Sequence, residues 1–261
     1  MATDRPVTLE GARVAVTCAR GVVDAGIAAL KEGGGIDANQ VIAYDLAHAA
    51  SAVAIAESAI DYGALGEDEA ALACAFVADA VRDLAQRLVG REHHFGVTAE
   101  WMAPAADFVA AGCDPAFLAG LCGIEGSRQL DDSFELVRDT FHRFAEEQVR
   151  PRAEHIHRTN GDIPEELIGA LAEIGGLGLS VPEEYGGFAT GGDEDYIGMV
   201  VATEELTWGS LGIGGSLITR PEILTRALVN GGTEEQKHRF LPRLATGEIL
   251  AAVAVTEPDF G

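Results

Sequence analysis

Apolar residues recur at intervals of three and four over most of this 261-residue chain, and this spacing limits its fold more than any other feature. Such intervals place side chains on one face of an α-helix, whereas a strand requires alternation at every second residue. The longest helical patterns span residues 37–62 and 67–89, and a short turn at Gly63–Gly66 joins them. The spacing predicts an antiparallel helical hairpin within a mainly α fold.

Two segments instead have the composition of a β-strand. Arg13–Cys18 precedes a helix-like segment, Gly21–Lys31, and predicts a short α/β-like start to an N-terminal extension over residues 1–128. No dinucleotide-binding or P-loop glycine pattern follows it, which argues against a nucleotide site. The second segment, residues 249–256, is a continuous apolar run. It predicts the first strand of a β-domain that begins at residue 249 and is truncated at residue 261.

The charge and the cysteines exclude several classes of function. The chain has 18 Lys and Arg residues against 42 Asp and Glu residues, a net charge of −24, which disfavours binding to a nucleic acid backbone. The most apolar long stretch, Val41–Ile60, contains Asp45, His48 and Glu57, so we expect no membrane span. The four cysteines have no zinc-site spacing and indicate free thiols in a reducing cytoplasm.

Residues 129–248 form a second helical pattern. Phe134, Val137, Phe141 and Phe144 make one apolar stripe, and Pro151 predicts a kink or break after it. Further helices are predicted after Asp162, over residues 195–208 and after Thr233. The last of these begins with a capping box, Thr233 to Gln236. Two histidine pairs, 93/94 and 155/157, have spacings that separate their side chains, so we predict no metal site there.

Several short motifs follow one another in an order that is typical of a single family. They are FAEEQVRP at 144–151, GLSVPEEYGG at 178–187, EEL at 204–206, GTEEQK at 232–237, FLPRL at 240–244, TGE at 246–248 and AVTEPDFG at 254–261. Together they resemble the N-terminal helical domain of acyl-CoA dehydrogenases, continuing into the first strand of the family's middle β-domain. The resemblance does not extend to residues 1–128, whose role stays unassigned.

The resemblance implies FAD-dependent α,β-dehydrogenation of an acyl-CoA thioester. It also implies an oligomer in which chains of the same or another kind supply the β-domain and C-terminal helices, and an electron-transfer flavoprotein or similar acceptor. The catalytic base of the family lies in a C-terminal region outside this sequence, so we expect an incomplete enzyme and name no catalytic residue. Glu204 and Glu205 are interpreted as a solvated helix face.

The flavin-contacting segment of the family matches the end of this sequence. The resemblance assigns Val253, Val255, Thr256 and Gly261 to FAD binding, with the Thr256 hydroxyl as a hydrogen-bond partner near flavin N5. Position 253 is often aromatic in the family, and valine there removes a stacking contact. Two alternatives stay open: a non-catalytic helical subunit that completes a partner's flavin site, and a flavin monooxygenase of the same fold.

Overall fold

The computed structural model describes residues 7–254 and 256–259, apart from the side chain of Arg220. The chain divides between Arg128 and Gln129 into two compact units. In the first unit the α-helices are α1 Leu9–Glu32, α2 Gln40–Gly63, α3 Glu67–Leu88, α4 Ala106–Gly112 and α5 Pro115–Gly120. In the second they are α6 Asp132–Phe144, α7 Arg150–Thr159, α8 Glu165–Glu173, α9 Glu194–Gly209, α10 Leu211–Gly231 and α11 Glu234–Ala245. The mainly helical fold predicted from the sequence is confirmed.

The strand predicted at Arg13–Cys18 is wrong, because this segment lies inside α1. The Thr8 side chain caps α1 by accepting a hydrogen bond from the Gly11 amide at 3.2 Å. The buried residues of α1 recur at helical spacing; they are Ala12, Ala15, Val16, Ala19, Val22, Val23 and Gly26. Packing of this face outweighs the strand preference of two valines and a threonine, because intrinsic preference differs by less than about 1 kcal/mol per residue.

The hairpin predicted at residues 37–62 and 67–89 is observed as α2 and α3, which pack together and against α1. Gly63 lies where this hairpin meets the start of α1. A Cβ atom there would lie 2.6 Å from Leu9 Cδ2 and 2.9 Å from Ala73 Cβ, so only glycine fits. The core of the unit consists mainly of alanine and valine, which lets the three helices approach closely.

The second unit begins with a long helical segment that changes geometry near Pro151. Asp131 caps α6 by accepting hydrogen bonds from the amides of Ser133 and Phe134, at 2.9 and 3.0 Å. Between α6 and α7, residues Ala145–Val149 form a π-helical turn. Proline cannot donate a hydrogen bond to the preceding turn, and a π-turn is one way to accommodate that loss. The predicted interruption is therefore a π-turn within a continuing helix.

Helices α6, α8, α9 and α10 enclose the core of the second unit. Phe141 and Phe144 from α6 pack with Leu171 from α8 and Leu206 from α9. The sequence did not predict α10, because four glycines and Pro221 within it disfavour a helix. Gly214 explains part of this composition. A Cβ atom there would lie 2.4 Å from the Leu206 carbonyl oxygen, so glycine is required where α10 approaches α9.

The capping box predicted for the last helix is present. The Gln236 amide donates to Thr233 Oγ1 at 3.2 Å, and the Thr233 amide donates to Gln236 Oε1 at 2.8 Å. These two bonds satisfy amide groups that the first turn of α11 would otherwise leave without partners. The start of α11 is thus fixed locally by four consecutive residues.

The β-strand predicted at residues 249–256 is not formed within the described part of that segment. The described residues instead contain one isolated bridge, between Pro182 and Ala189. A strand is stabilised by pairing with a neighbouring strand, and no such neighbour is present in the described chain. The strand predicted from the continuous apolar run is therefore wrong for the described residues of this segment.

Thr225, on α10, provides a stability test of the second unit. The residue is fully buried, and its hydroxyl has no hydrogen-bond partner among the described residues. We expect Thr225→Val, which keeps the shape and removes this hydroxyl, to raise the free energy of unfolding by about 1 kcal/mol. The matched control is Thr219→Val on the same helix, an exposed residue that we expect to change it by less than about 0.5 kcal/mol. Urea unfolding measures the stability of both variants. A destabilised Thr225→Val variant would contradict the conclusion that the buried Thr225 hydroxyl has no hydrogen-bond partner in the described part of the chain.

Candidate functional site

A cleft of the second unit lies between the end of α7, the loop that follows it, and the first half of α10. Its volume is about 770 Å³, which is within the range of ligand pockets, roughly 300–1,000 Å³. The floor is apolar and includes Ile156, Ile163, Ile168, Leu177, Ile213 and Leu217. The polar side chains at the cleft are His157, Asn160, Asp162, Ser210 and Ser216.

Helix ends bring these polar groups to the cleft. Asn160 ends α7 in the left-handed conformation, with φ of 50°, which asparagine adopts more readily than most residues. Ser210 lies between α9 and α10 and caps α10, because its Oγ accepts a hydrogen bond from the Ile213 amide at 3.4 Å. Local capping therefore places an asparagine and a serine beside the apolar floor.

The cleft has the chemistry of a site for a ligand with an apolar part and a polar part. Apolar surface stabilises a bound hydrocarbon by roughly 25 cal/mol per Å² removed from water. The asparagine, serine and histidine side chains supply both donors and acceptors for the polar part. None of these observations identifies a base or a nucleophile within the cleft.

The residues predicted to bind FAD come shortly after two residues of the sequence that line this cleft. Leu250 and Ala251 line the cleft, and the chain then continues to Val253 and Thr256. The Val253 side chain is 47% exposed, and Thr256 is also exposed. Both side chains are therefore accessible to a bound group. Val255 and Gly261, the other two predicted contacts, lie outside the described residues.

Glu205 was interpreted from the sequence as part of a solvated helix face, and this interpretation is wrong. Glu204 is exposed, but Glu205 is only 5% exposed and faces α6. Its Oε2 atom lies 2.6 Å from Nδ1 of His142, which is on α6. A carboxylate removed from water needs such a partner, since unpaired burial is costly. Neither residue lines the cleft, and the pair links α6 to α9.

Aromatic and cationic groups extend this pair towards solvent. The Trp208 ring lies 4.5 Å from the His142 ring, measured between centroids. The Arg150 guanidinium lies over the Trp208 ring, 4.5 Å from its centroid. The sequence alone could not reveal this cluster, because its members come from α6, α7 and α9. The one signal in the sequence is that the apolar residues of α9 are not confined to one face of the helix, which allows contacts on more than one side.

Metal-binding clusters and membrane-spanning helices are both absent from the part of the chain that the structure describes. No group of three or more histidine, cysteine or acidic side chains there could hold a metal ion. No helix of residues 7–254 is both long and apolar enough to cross a membrane. The cysteines are unpaired thiols, and burial raises the pKa of Cys74 to about 11, so this thiol is not a reactive nucleophile.

Comparison with known proteins shows what the second unit is similar to. Residues 131–248 match the family model described as acyl-CoA dehydrogenase, N-terminal domain. The chain is 46% identical over 136 residues to (2S)-methylsuccinyl-CoA dehydrogenase of Cereibacter sphaeroides, covering 52% of this chain and 24% of that protein. It is 36% identical over 133 residues to mitochondrial isovaleryl-CoA dehydrogenase of Solanum tuberosum, covering 50% of this chain and 31% of that protein.

An acyl-CoA dehydrogenase of Bacillus subtilis (strain 168) is 34% identical over 127 residues, which are 49% of this chain and 31% of that protein. The matched segment spans about a quarter to a third of the length of these curated relatives. It coincides with the helical unit that carries the cleft. Residues 131–248 of this chain are therefore similar to the N-terminal domain of the acyl-CoA dehydrogenase family.

Proposed function

We propose that this chain forms part of an FAD-dependent enzyme that introduces an α,β double bond into an acyl-CoA thioester. The observation that carries this proposal is the similarity of residues 131–248 to this family, supported by identities of 34–46% to proteins named as acyl-CoA dehydrogenases. The reaction removes a proton from the α-carbon and a hydride from the β-carbon. We assign no base within this chain.

The cleft of the second unit is the proposed site for the acyl end of the substrate. Ile213 and Leu217, on α10, would contact the hydrocarbon part, and removal of this surface from water would favour binding. Asn160 and Ser216 would donate hydrogen bonds to the polar part of the thioester arm. A rigid helical frame suits this role, because orientation of a substrate depends on side chains held in fixed positions.

The segment after the cleft is the proposed contact with the cofactor. FAD supplies the hydride acceptor when it is bound. The exposed Thr256 hydroxyl would donate or accept one hydrogen bond at the flavin, and Val253 would provide an apolar contact beside it. Val255 and Gly261 remain predicted contacts of the same segment.

The names of the relatives suggest which acyl groups to test first. The most similar proteins include dehydrogenases for (2S)-methylsuccinyl-CoA, isovaleryl-CoA and 2-methylacyl-CoA, all of which are branched. We propose that a short branched acyl-CoA is the substrate class of this protein. An unbranched acyl-CoA of equal carbon number is the matched comparison.

Anaerobic titration of the purified full-length protein tests the proposal. We expect a yellow protein whose visible flavin absorbance falls on addition of a short branched acyl-CoA. The same addition of free coenzyme A should leave the absorbance unchanged, since it has no α,β carbon pair to oxidise. A protein that binds FAD but stays oxidised with every acyl-CoA contradicts the dehydrogenase function. A protein that binds no FAD contradicts the cofactor assignment as well.

Thr256 gives a residue-specific prediction for the flavin-loaded protein. We expect Thr256→Val to slow flavin reduction by acyl-CoA about tenfold, because one hydrogen bond of about 1.4 kcal/mol is lost at the cofactor. Stopped-flow absorbance measures this rate. Thr140→Val is the matched control, because the Thr140 hydroxyl is bonded within α6 to the Leu136 carbonyl oxygen, far along the chain from this segment. Equal rates of flavin reduction in the two variants would show that Thr256 does not contact the flavin.

A further inference from the structure

The segment that joins the two units is attached to the first unit near its end. Helix α5 ends at Gly120 and the cap of α6 is Asp131, and residues 121–130 between them contain no helix or strand. Few contacts usually cross such a segment, so it is commonly the most flexible part of a chain. Here, however, Gly126 and Ser127 both contact the end of the hairpin formed by α2 and α3.

Glu69 makes the polar part of this contact. It lies in the first turn of α3, and its Oε1 atom accepts hydrogen bonds from the Ser127 amide at 2.9 Å and the Ser127 hydroxyl at 2.7 Å. The Ser127 amide, then the Ser127 hydroxyl and the Glu69 amide, hold the pKa of the Glu69 carboxyl below its usual value. Hydrogen bonds to an ionised acceptor are about twice as strong as those between neutral groups. Glu69 therefore binds Ser127 through two donors at once.

Gly126 makes the packed part of the contact, against Tyr62 at the end of α2. A Cβ atom at position 126 would lie 1.9 Å from the Tyr62 hydroxyl oxygen and 3.0 Å from Leu72 Cδ1. The backbone of Gly126 is not in the left-handed region, so the close approach of Tyr62 is the reason for glycine here. Two adjacent residues of the joining segment are thus held, one by α2 and one by α3.

These contacts shorten the stretch of chain that joins the two units. Beyond Ser127, residues 128–130 lead to the cap of α6 at Asp131, and three extended residues span at most about 10 Å. Without the contacts the stretch would be residues 125–130, because the Ile124 amide is hydrogen-bonded within the preceding turn at 3.0 Å. Six extended residues span at most about 21 Å. The attachment therefore halves the reach of the connection.

We propose that Glu69 and Tyr62 form a clamp on the joining segment, which limits the connection between the two units to residues 128–130. A shorter connection confines two linked bodies to a smaller volume. Release of Ser127 from Glu69 doubles the length of the connection without unfolding either unit. The clamp is built into the first unit and is independent of the function proposed for the second.

Brief trypsin digestion of the full-length protein tests the clamp, because trypsin cleaves after Arg128, an exposed residue directly beyond it. A protease cuts a stretch of chain that has opened, so the rate of cleavage follows the population of the released state. We expect Glu69→Ala to raise the rate of cleavage after Arg128 at least tenfold, measured by mass spectrometry of the fragment that begins at Gln129. Asp68→Ala is the matched control. It removes another acidic side chain from the first turn of α3 and should change the rate less than twofold.

A second variant releases the joining segment and leaves Glu69 in place. Gly126→Val puts a branched side chain against Tyr62, so we expect the rate of cleavage after Arg128 to rise at least tenfold here too. Gly120→Val is its control, because a Cβ atom at position 120 meets nothing within 4 Å, and its rate should stay within twofold of the wild type. A rate within twofold of the wild type for Glu69→Ala or for Gly126→Val would overturn the proposal. Equal acceleration in either variant and its control would overturn it as well.

Discussion

Replacing Gly187 by alanine is expected to lower the free energy of unfolding of the second unit by about 3 kcal/mol. A Cβ atom at this position would lie 2.0 Å from the Val181 carbonyl oxygen and 2.5 Å from Val181 Cβ. The loop cannot open to relieve this contact at low cost, because the Ala189 amide donates to the same carbonyl at 2.9 Å and Val181 is fully buried. Urea unfolding followed by Trp208 fluorescence in a Trp101→Phe background reports on this unit alone, since the chain has two tryptophans.

The neighbouring residue Gly186 provides the control. Its φ angle is +86°, and a Cβ atom there would meet nothing within 4 Å. Alanine at position 186 therefore costs only the strain of the left-handed conformation, about 1 kcal/mol. If the two variants lose equal stability, a clash between a Cβ atom and Val181 is not the reason why position 187 requires glycine.

Removal of the His142 side chain, the hydrogen-bond partner of Glu205, should have the next largest effect on stability. We expect His142→Ala to lower the stability of the contact between α6 and α9 by about 2 kcal/mol, because it leaves a buried carboxylate without its hydrogen bond. The value lies below that for a fully buried ion pair, since the His142 side chain is 44% exposed. Hydrogen exchange of the α6 and α9 amides, read by mass spectrometry, measures this stability without relying on Trp208, which contacts His142.

A double-mutant cycle isolates the interaction itself. In a Glu205→Gln background the buried group is neutral, so His142→Ala should cost less than about 1 kcal/mol. Equal costs in the two backgrounds would mean that His142 stabilises the helix contact through packing against Trp208 alone.

Helices whose ends are defined by local chemistry were predictable from the sequence. The capping box at Thr233 fixes the start of α11 with bonds between neighbouring residues. The hairpin of α2 and α3 was predictable from long regular spacing. The prediction for α1 failed at Arg13–Cys18, where local strand preference and helical burial conflict, and only packing of the whole helix decides between them.

The glycine-rich helix α10 could not be predicted from the sequence, for a different reason. Gly214 disfavours a helix in isolation, yet the close approach of α9 requires it. This requirement arises from a contact between two helices, so it has no local signal. The loss of helix preference, about 1 kcal/mol per glycine, is offset by the packing that the glycine permits.

The candidate site was predictable only in part. Short motifs predicted the family resemblance, and the assignment of Val253 and Thr256 to FAD binding stays a prediction. The cleft beside that segment is built by α7, α8 and α10, so its lining depends on the tertiary arrangement. Glu205 was assigned to the surface because helix position alone does not say which face a neighbour covers, and α6 covers this one.

The identity of the product tests the central claim most directly. The full-length protein is incubated with a short branched acyl-CoA in the absence of oxygen, and the coenzyme A thioesters are then analysed by mass spectrometry. We predict a product lighter than the substrate by two hydrogen atoms, formed in an amount equal to the flavin that is reduced. An unchanged thioester beside oxidised flavin, or a product that appears only with oxygen and contains an added oxygen atom, would contradict the assignment as a dehydrogenase.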